Sequence, residues 1–192
     1  MNKKRTRELC EAIIDSGLKF NWGAETRIDC LDEELVTLMR RSGCEALHFG
    51  VESSDNEILK EAGRRGMELD HQMKMVSFCE GLGIKVVCFY ILGFVSDTVE
   101  TMEKTIDYAC RLNSSVAQFG IMTPYPGTRL FDQVEDRLLT RDWTKYNTYN
   151  TVVRLDHVSS DQVLEAKKKA YRKYYIRSDW VTKKLPKLLG MV

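Results

Sequence analysis

The chain has 192 residues, of which 43% are hydrophobic and 30% charged, and its formal net charge is +1. These values fit one domain with an ordinary hydrophobic core and exclude global disorder. The near balance of 29 basic and 28 acidic residues identifies no charged partner. No apolar run approaches the roughly 20 residues of a membrane span, and the first residues lack the apolar segment of a signal peptide. We therefore expect a cytoplasmic chain without a membrane partner.

The six cysteines are too widely spaced for the common metal-binding motifs. The nearest pair, Cys79 and Cys88, is nine residues apart, so no Cys-x2-Cys or Cys-x3-Cys spacing exists. We expect free and mostly buried thiols in a reducing compartment, and we assign no metal ligand within the chain.

Helical and extended patterns alternate from the start of the chain. The first helix is predicted to end at Gly17, and an extended stretch, "LKFNWGAETRID" (18–29), follows it. Asp32 is predicted to cap the second helix. The stretch "CEALHFGVE" (44–52) has the alternation of a second strand.

The same alternation continues to residue 123. Asp70 is predicted to cap the next helix, and "IKVVCFYILG" (84–93) is the continuous apolar pattern of a parallel strand covered by helices. Asp97 and Glu100 resemble a capping box for a further helix. "SSVAQFGIMT" (114–123) is the fourth strand. This order predicts a parallel α/β architecture.

In the first two predicted strands, one face is apolar and the other is polar or small. The residues expected on the polar face include Glu25, Arg27, Asp29, His48 and Glu52. A doubly wound sheet would have two covered, apolar faces. The pattern therefore favours a partial (βα) barrel of about four parallel strands with outer helices, whose inner face lines a cavity. A network of mutually compensated charges is the alternative.

The connection between the second and third strands is the longest, and its additional residues lie between Glu52 and Asp70. Ligands commonly bind at this edge of parallel sheets. Glu52 ends its strand, where a carboxylate can accept hydrogen bonds from a ligand; an ion pair with Arg27 is the alternative. Arg64 and Arg65 could bind a carboxylate or phosphate, or remain solvated.

The alternation ends after the fourth strand. In "TPYPGTRL" (123–130), two prolines flank Tyr125, which is either part of a simple strand ending or a contact at the rim. We divide the chain into a partial barrel, 1–135, and a mostly helical C-terminal extension, 136–192.

The extension is basic. Ser159 or Ser160 is predicted to cap its main helix, and residues 167–187 combine lysine and arginine with tyrosine and tryptophan. Such a segment can engage RNA or another anionic surface, but a solvated helix face is the simpler interpretation.

Four stretches, "TRID", "GCEALHFGVESSDNEIL", "ILGFVSDTVETMEKTIDYA" and "TPYPGTRLF", resemble in order and spacing the later strands of the radical S-adenosylmethionine (radical SAM) enzyme barrel. The resemblance is closest to the cobalamin-associated and methylthiotransferase-like branches, and the tail "AYRKYYIR" is similar to the helical extension of the former. It implies an incomplete radical SAM TIM-like barrel with C-terminal helices that serves a small-molecule substrate.

The resemblance also implies roles for single residues. Glu52 belongs to the Gly-Val-Glu-Ser stretch that contacts S-adenosylmethionine in the family, and Arg64 corresponds to the basic residue that binds the methionyl carboxylate. The two side chains would hold opposite ends of one zwitterionic ligand. Gly93 ends the strand on the adenine side, although the Gly-x-Pro-Gly-Glu pattern of many relatives is absent after it. We place Gln118 with these cofactor-binding residues.

The chemistry of the family requires a Cys-x3-Cys-x2-Cys loop that holds a [4Fe–4S] cluster, and this chain has no such spacing. We therefore expect the C-terminal fragment of a radical SAM iron–sulfur oxidoreductase, or a truncated homologue, that is inactive without an upstream cluster loop. Cobalamin is left open as a further cofactor. No residue is assigned a catalytic role, and four residues are expected to face the substrate or support the lumen wall: Glu25, Arg27, His48 and Tyr125.

Two other functions remain open. One is a non-catalytic half-barrel scaffold, or an RNA- or partner-binding module that uses the basic C-terminal helices. The other is a cluster-free lyase or hydrolase that uses Glu25, Asp29, His48 and Glu52. If strands precede the first one in the complete barrel, that strand is an exposed edge here, and we expect self-association along it.

Overall fold

The structure is a computed structural model that describes residues 2–61, 63–64 and 68–190. The four strands are β1 (Trp22–Thr26), β2 (Cys44–Glu52), β3 (Lys85–Leu92) and β4 (Val116–Ile121). The helices are α1 (Lys3–Asp15), α2 (Glu33–Arg41), α3 (Asn56–Glu61), α4 (Leu69–Gly81), α5 (Val99–Leu112), α6 (Arg129–Val134), α7 (Ser160–Tyr175) and α8 (Leu185–Leu188).

The strands form one parallel sheet in the order β1-β2-β3-β4. β1 and β2 pair in parallel, with Glu25 opposite His48. Strands that are consecutive in the chain are neighbours in the sheet, and helices occupy the connections between them. This confirms the predicted parallel α/β architecture with about four strands.

The chain divides into two compact units. The first comprises Met1–Val51, Met67–Phe89 and Leu112–Ala117, and the second comprises Glu52–Gly66, Tyr90–Arg111 and Gln118–Val192. The division of the chain near residue 135 stays a prediction.

In the first unit, alternate residues of the strands are buried. Leu47, Phe49 and Cys88 are inaccessible to solvent, whereas His48 and Phe89 are partly exposed, with ring centroids 5.8 Å apart. The burial follows the two-residue period of a strand. Leu47 and Phe49 therefore pack into the core, and His48 between them does not.

The second unit has its core around the end of β3, β4 and the C-terminal helix α7. Tyr90 and Phe119 stack with ring centroids 5.2 Å apart, and Phe119 meets Tyr174 of α7 edge-on. All three side chains are almost completely buried. α7 is therefore part of this unit's core, because its aromatic face covers β4.

The first strand is shorter than predicted. β1 ends at Thr26, and Ile28–Cys30 forms a 3-10 turn, so Arg27 and Asp29 do not belong to a face of the sheet. The placement of both residues on the same strand face as Glu25 was wrong. Arg27 instead donates two hydrogen bonds to the Asp29 carboxylate, at 3.0 and 2.6 Å, and this lowers the pKa of Asp29.

Of the four predicted helix N-caps, two are confirmed and two are wrong. The Asp32 side chain accepts a hydrogen bond from the Leu35 amide at 2.9 Å, and Ser159, not Ser160, caps α7 in a reciprocal capping box. At α4 the capping position is Glu68, and Asp70 lies in the first turn. The side chain of an acidic first-turn residue favours the helix electrostatically without capping it.

The predicted capping box at the start of α5 was also wrong. Thr98 and Thr101 cap this helix reciprocally, because each side-chain oxygen accepts from the backbone amide of the other residue, at 3.1 and 2.9 Å. Glu100 lies one residue away and pairs with Lys104. Asp97 is thereby available for a different role, described below.

None of the helices in the described part of the chain combines the length and the apolar character of a membrane span.

Candidate functional site

The carboxyl end of β2 holds a buried glutamate in a strained conformation. Glu52 is 8% exposed and has a φ of 64°, in the left-handed region that L-residues rarely adopt. Its carboxylate accepts a hydrogen bond from Arg64 Nη2 at 2.7 Å. Burial raises the pKa of Glu52, and the positive charge of Arg64 partly opposes the shift. Strain and a perturbed carboxyl at a strand end indicate a binding position.

The chain after β2 places Arg64 beside this carboxylate. α3, a helix within the long connection, was not predicted; its residues Ile58 and Leu59 are buried. The Gly63 amide donates to the Lys60 carbonyl at 2.9 Å and the Arg64 amide to the Leu59 carbonyl at 2.8 Å. With Gly63 at a φ of 68°, this is the Schellman ending of a helix. The turn directs the chain back so that Arg64 meets Glu52.

Arg65, the second arginine candidate in this connection, lies outside the described residues.

A cavity of about 510 Å³ adjoins the Glu52–Arg64 pair, within the second unit. Its walls come from α3 and its C-terminal turn, from the end of β3 with the following loop, and from α6 with the following turn. Ile91, Phe94 and Val95 give it an apolar surface. Its size lies within the range of roughly 300–1,000 Å³ of small-molecule sites.

Asp97 fixes the loop after β3. Its carboxylate accepts from the Gly93 amide at 2.9 Å and the Phe94 amide at 3.0 Å, and the Thr101 hydroxyl donates to it at 2.6 Å. Asp97 is only 2% exposed, and burial raises its pKa although these donors favour the charged form. The hydrogen bonds hold Phe94 in place at the cavity wall.

Glu61 is a second carboxylate that binds the loop after β3, and it was not predicted from the sequence. It ends α3 and accepts from the Val95 amide at 2.9 Å and from the Ser96 hydroxyl. It also lines the cavity. No local sequence pattern identifies this contact, because the two partners are more than 30 residues apart.

The two other predicted cofactor-side residues lie elsewhere in the second unit. Gly93 has a φ of 80°, and a Cβ atom there would lie 2.9 Å from the Val163 side chain. Glycine is therefore required both by the conformation and by the close approach of α7. Gln118 is exposed on β4. Tyr125, predicted at the rim, is 49% exposed.

The predicted lumen residues of the first unit form two separate pairs. Glu25 Oε1 lies 3.7 Å from His48 Nδ1, with the Glu25 side chain 77% exposed. Arg27 pairs with Asp29. The alternative of an ion pair between Arg27 and Glu52 is not realised, because each residue has another partner.

The basic C-terminal residues are largely occupied by contacts within the second unit. Lys169 pairs with Glu103 and Lys173 with Asp107, both on α5. Lys167 is buried, and it donates to the Thr148 carbonyl at 2.7 Å. These contacts favour the interpretation of α7 as a structural helix over that of a free basic surface.

The cysteines do not form a cluster site. All six are free thiols, as predicted, and burial raises the pKa of Cys44 to about 11 and that of Cys79 to about 12. Residues 2–61, 63–64 and 68–190 contain no group of three or more His, Cys, Asp or Glu side chains that could hold a metal ion. Since an iron–sulfur cluster is held by thiolates, these cysteines do not fit one.

The chain is similar in sequence to proteins of one known family. Residues 3–109 match the model of the radical SAM superfamily. The chain is 35% identical over 179 residues to an uncharacterized methyltransferase of Pyrococcus horikoshii, covering 92% of this chain and 39% of that protein. It is 30% identical over 169 residues to the bacteriochlorophyllide d C-12(1)-methyltransferase of Chlorobaculum tepidum, covering 88% and 37%. The chain thus spans well under half the length of these relatives.

Two solved structures share the fold. The radical SAM methyltransferase TsrM from Kitasatospora setae, with cobalamin and a [4Fe–4S] cluster bound, has a TM-score of 0.61 and 19% identity, over 70% of this chain and 27% of TsrM. The radical SAM enzyme coproporphyrinogen III oxidase (HemN) from Escherichia coli has a TM-score of 0.65 and 14% identity, over 91% and 37%. The sheet is accordingly a partial radical SAM TIM-like barrel. With the family model matching more than half of its residues, the chain belongs to the radical SAM superfamily.

Proposed function

We propose that this chain contributes the S-adenosylmethionine-binding wall of a radical SAM methyltransferase. From the sequence alone we expected an oxidoreductase. The names of the two curated relatives favour methyl transfer instead, and the family membership implies S-adenosylmethionine and a [4Fe–4S] cluster as cofactors.

The observation that carries the proposal is the ion pair between the buried carboxylate of Glu52 and the partly exposed guanidinium of Arg64 at the cavity. The amino-acid end of S-adenosylmethionine has an ammonium and a carboxylate, which match a carboxylate acceptor and a bidentate guanidinium donor. In the structure the two side chains pair with each other, with Arg64 Nη2 2.7 Å from Glu52 Oε1. A zwitterionic ligand can replace both partners at once, so the buried Glu52 carboxylate is not left without a counter-charge.

The rest of the cavity suits the uncharged part of the same ligand. Ile91, Phe94 and Val95 offer apolar surface, and Asp97 and Glu61 hold the loop that carries Phe94 and Val95. When bound, S-adenosylmethionine supplies the methyl group for transfer. The chain's residues bind and orient it; we assign them no cluster ligand, and cobalamin stays a proposed further cofactor.

The other predicted site residues stay proposals. Gly93 and Gln118 are proposed on the cofactor side, and four residues are proposed on the substrate or lumen side: Glu25, Arg27, His48 and Tyr125. None of these six lines the described cavity. The proposal therefore depends on Glu52 and Arg64.

Titration calorimetry with S-adenosylmethionine tests this. Glu52→Gln and Arg64→Met should each weaken binding about tenfold to a hundredfold, because each removes one hydrogen-bonded charge pair with the ligand. Glu45→Gln, an exposed glutamate near the start of the same strand, and Arg141→Met, an exposed arginine paired with Glu135, are the matched controls and should bind like the unaltered chain. Unchanged affinity in both site variants would overturn the proposal.

A further inference from the structure

The cavity beside Glu52 has an excess of positive charge. Four cationic side chains line it, against two carboxylates. The cations are Lys60, Arg64, Arg129 and Arg137, and the carboxylates are Glu52 and Glu61. Where such a cation has no compensating carboxylate, it favours a ligand of the opposite sign.

Most of these charges already have partners. Arg64 pairs with Glu52 at 2.7 Å, and Lys60 with Glu57 at 2.6 Å. Arg137 pairs with Asp156, and Glu61 accepts from the amides of the loop after β3. Within the part of the chain that the structure describes, Arg129 is the lining cation for which no ion pair is found.

Arg129 belongs to a row of donors on one side of the cavity. Arg129 and Gln133 are four residues apart in α6 and lie on one helical face, and Arg137 belongs to the 3-10 turn Glu135–Arg137 that follows. All three line the cavity. The Thr128 side chain caps α6 through the Phe131 amide, so the position of the row is set by a capped helix.

The wall around this row is apolar. Phe94 and Val134 belong to one buried cluster, and Ile91, Val95 and Leu130 pack against it; all five also line the cavity. The combination of guanidinium and amide donors beside apolar side chains fits a ligand with an apolar body and an anionic group.

We propose that Arg129, with Gln133 and Arg137, forms an anion subsite for the carboxylate or phosphate of a second ligand with an apolar body. The identification of that ligand as the methylation substrate rests on the proposed function, whereas the anion subsite itself does not. Arg64 serves the carboxylate of S-adenosylmethionine, so the two anionic groups have separate partners.

The test uses three small probes with the full chain at fixed ionic strength, followed by nuclear magnetic resonance titration. 4-Phenylbutyrate carries a carboxylate, phenyl phosphate carries a phosphate, and 4-phenylbutanol is the neutral counterpart. At least one anion should bind about tenfold more tightly than the alcohol, and Arg129→Ala should remove that difference. Arg129→Lys should retain part of it, because the charge stays and the bidentate geometry is lost.

Arg141→Ala is the matched control, since Arg141 is exposed and does not line the cavity, and it should leave all three affinities unchanged. The preferred anion identifies whether the subsite takes a carboxylate or a phosphate. Equal binding of anions and alcohol, no binding of either anion, or an unaffected Arg129→Ala variant would overturn the subsite. Arg129→Ala should bind S-adenosylmethionine as before, so failure of the subsite and failure of the cofactor proposal give different results.

Discussion

At the scale of single residues, Glu52 combines features that disfavour the folded state with features that suit ligand binding. Its carboxylate is buried, and its backbone is in the left-handed region at a φ of 64°. Both features disfavour the folded state. A glycine would adopt this conformation without strain. A glutamate at this position is therefore better explained by a need for its carboxylate than by the backbone conformation.

This conflict can be measured by comparing alanine and glycine at two positions of β2. Glu52→Gly should be about 1 kcal/mol more stable than Glu52→Ala, because glycine relieves the left-handed strain and both changes remove the carboxylate. At His48, which is partly exposed and pairs in regular register with Glu25, the order should reverse by about 0.5–1 kcal/mol, because glycine weakens a strand. Urea denaturation provides the free energies. The same order at both positions would contradict strain at Glu52.

At the scale of elements, the sequence predicted regular segments well and their connections poorly. β2 and β3 were found nearly to the residue, because β2 shows polar–apolar alternation in the sequence and β3 is a continuous apolar run bounded by Gly83 and Gly93. Asp97 was assigned to a capping box because its spacing from Glu100 has that pattern. In the structure it is buried under the loop after β3, and a contact of this kind depends on tertiary packing that spacing does not reveal.

The buried Asp97 should make stability depend on pH. Because burial raises its pKa in the folded chain, the folded state binds more protons than the unfolded state above the ordinary aspartate value of about 3.9. The free energy of unfolding should therefore fall as the pH rises from that value through the raised pKa.

Asp97→Asn should lack this contribution, which denaturation over a pH series would show as a flatter curve than that of the unaltered chain. Asp132→Asn, an exposed aspartate on α6, should follow the unaltered curve. Asp97→Ala should cost about 1–3 kcal/mol, because it leaves the amides of Gly93 and Phe94 without their acceptor. Parallel curves for the unaltered chain and Asp97→Asn would show that Asp97 ionises normally.

At the scale of the whole molecule, the resemblance to a family led to the correct fold and cofactor class, but not to the complete site. Glu52 and Arg64 were selected as a pair from their family motif and do meet. Glu61 and Arg129 were missed, because they reach the cavity from α3 and α6, far apart in the sequence. The local sequence pattern that could have indicated the α6 side of the cavity was the four-residue spacing of Arg129, Gln133 and Arg137.

The sheet order leads to a prediction about association. β1 is the terminal strand, paired with β2 on one side, and a terminal strand presents backbone donors and acceptors to another chain. Glu25, with its side chain 77% exposed, is a charge of the kind that restrains such pairing. We expect concentration-dependent self-association through β1, measured by sedimentation velocity and light scattering.

Glu25→Val should strengthen this association, because it removes the charge and favours strand pairing. Glu45→Val is the matched control: it introduces the same apolar side chain on β2, which lies inside the sheet with neighbours on both sides, so it should leave the association unchanged. An equal effect of both substitutions would assign the association to exposed apolar surface in general. A monomer at high concentration in both the unaltered chain and Glu25→Val would show that β1 is not an interaction edge, and the prediction would then be wrong.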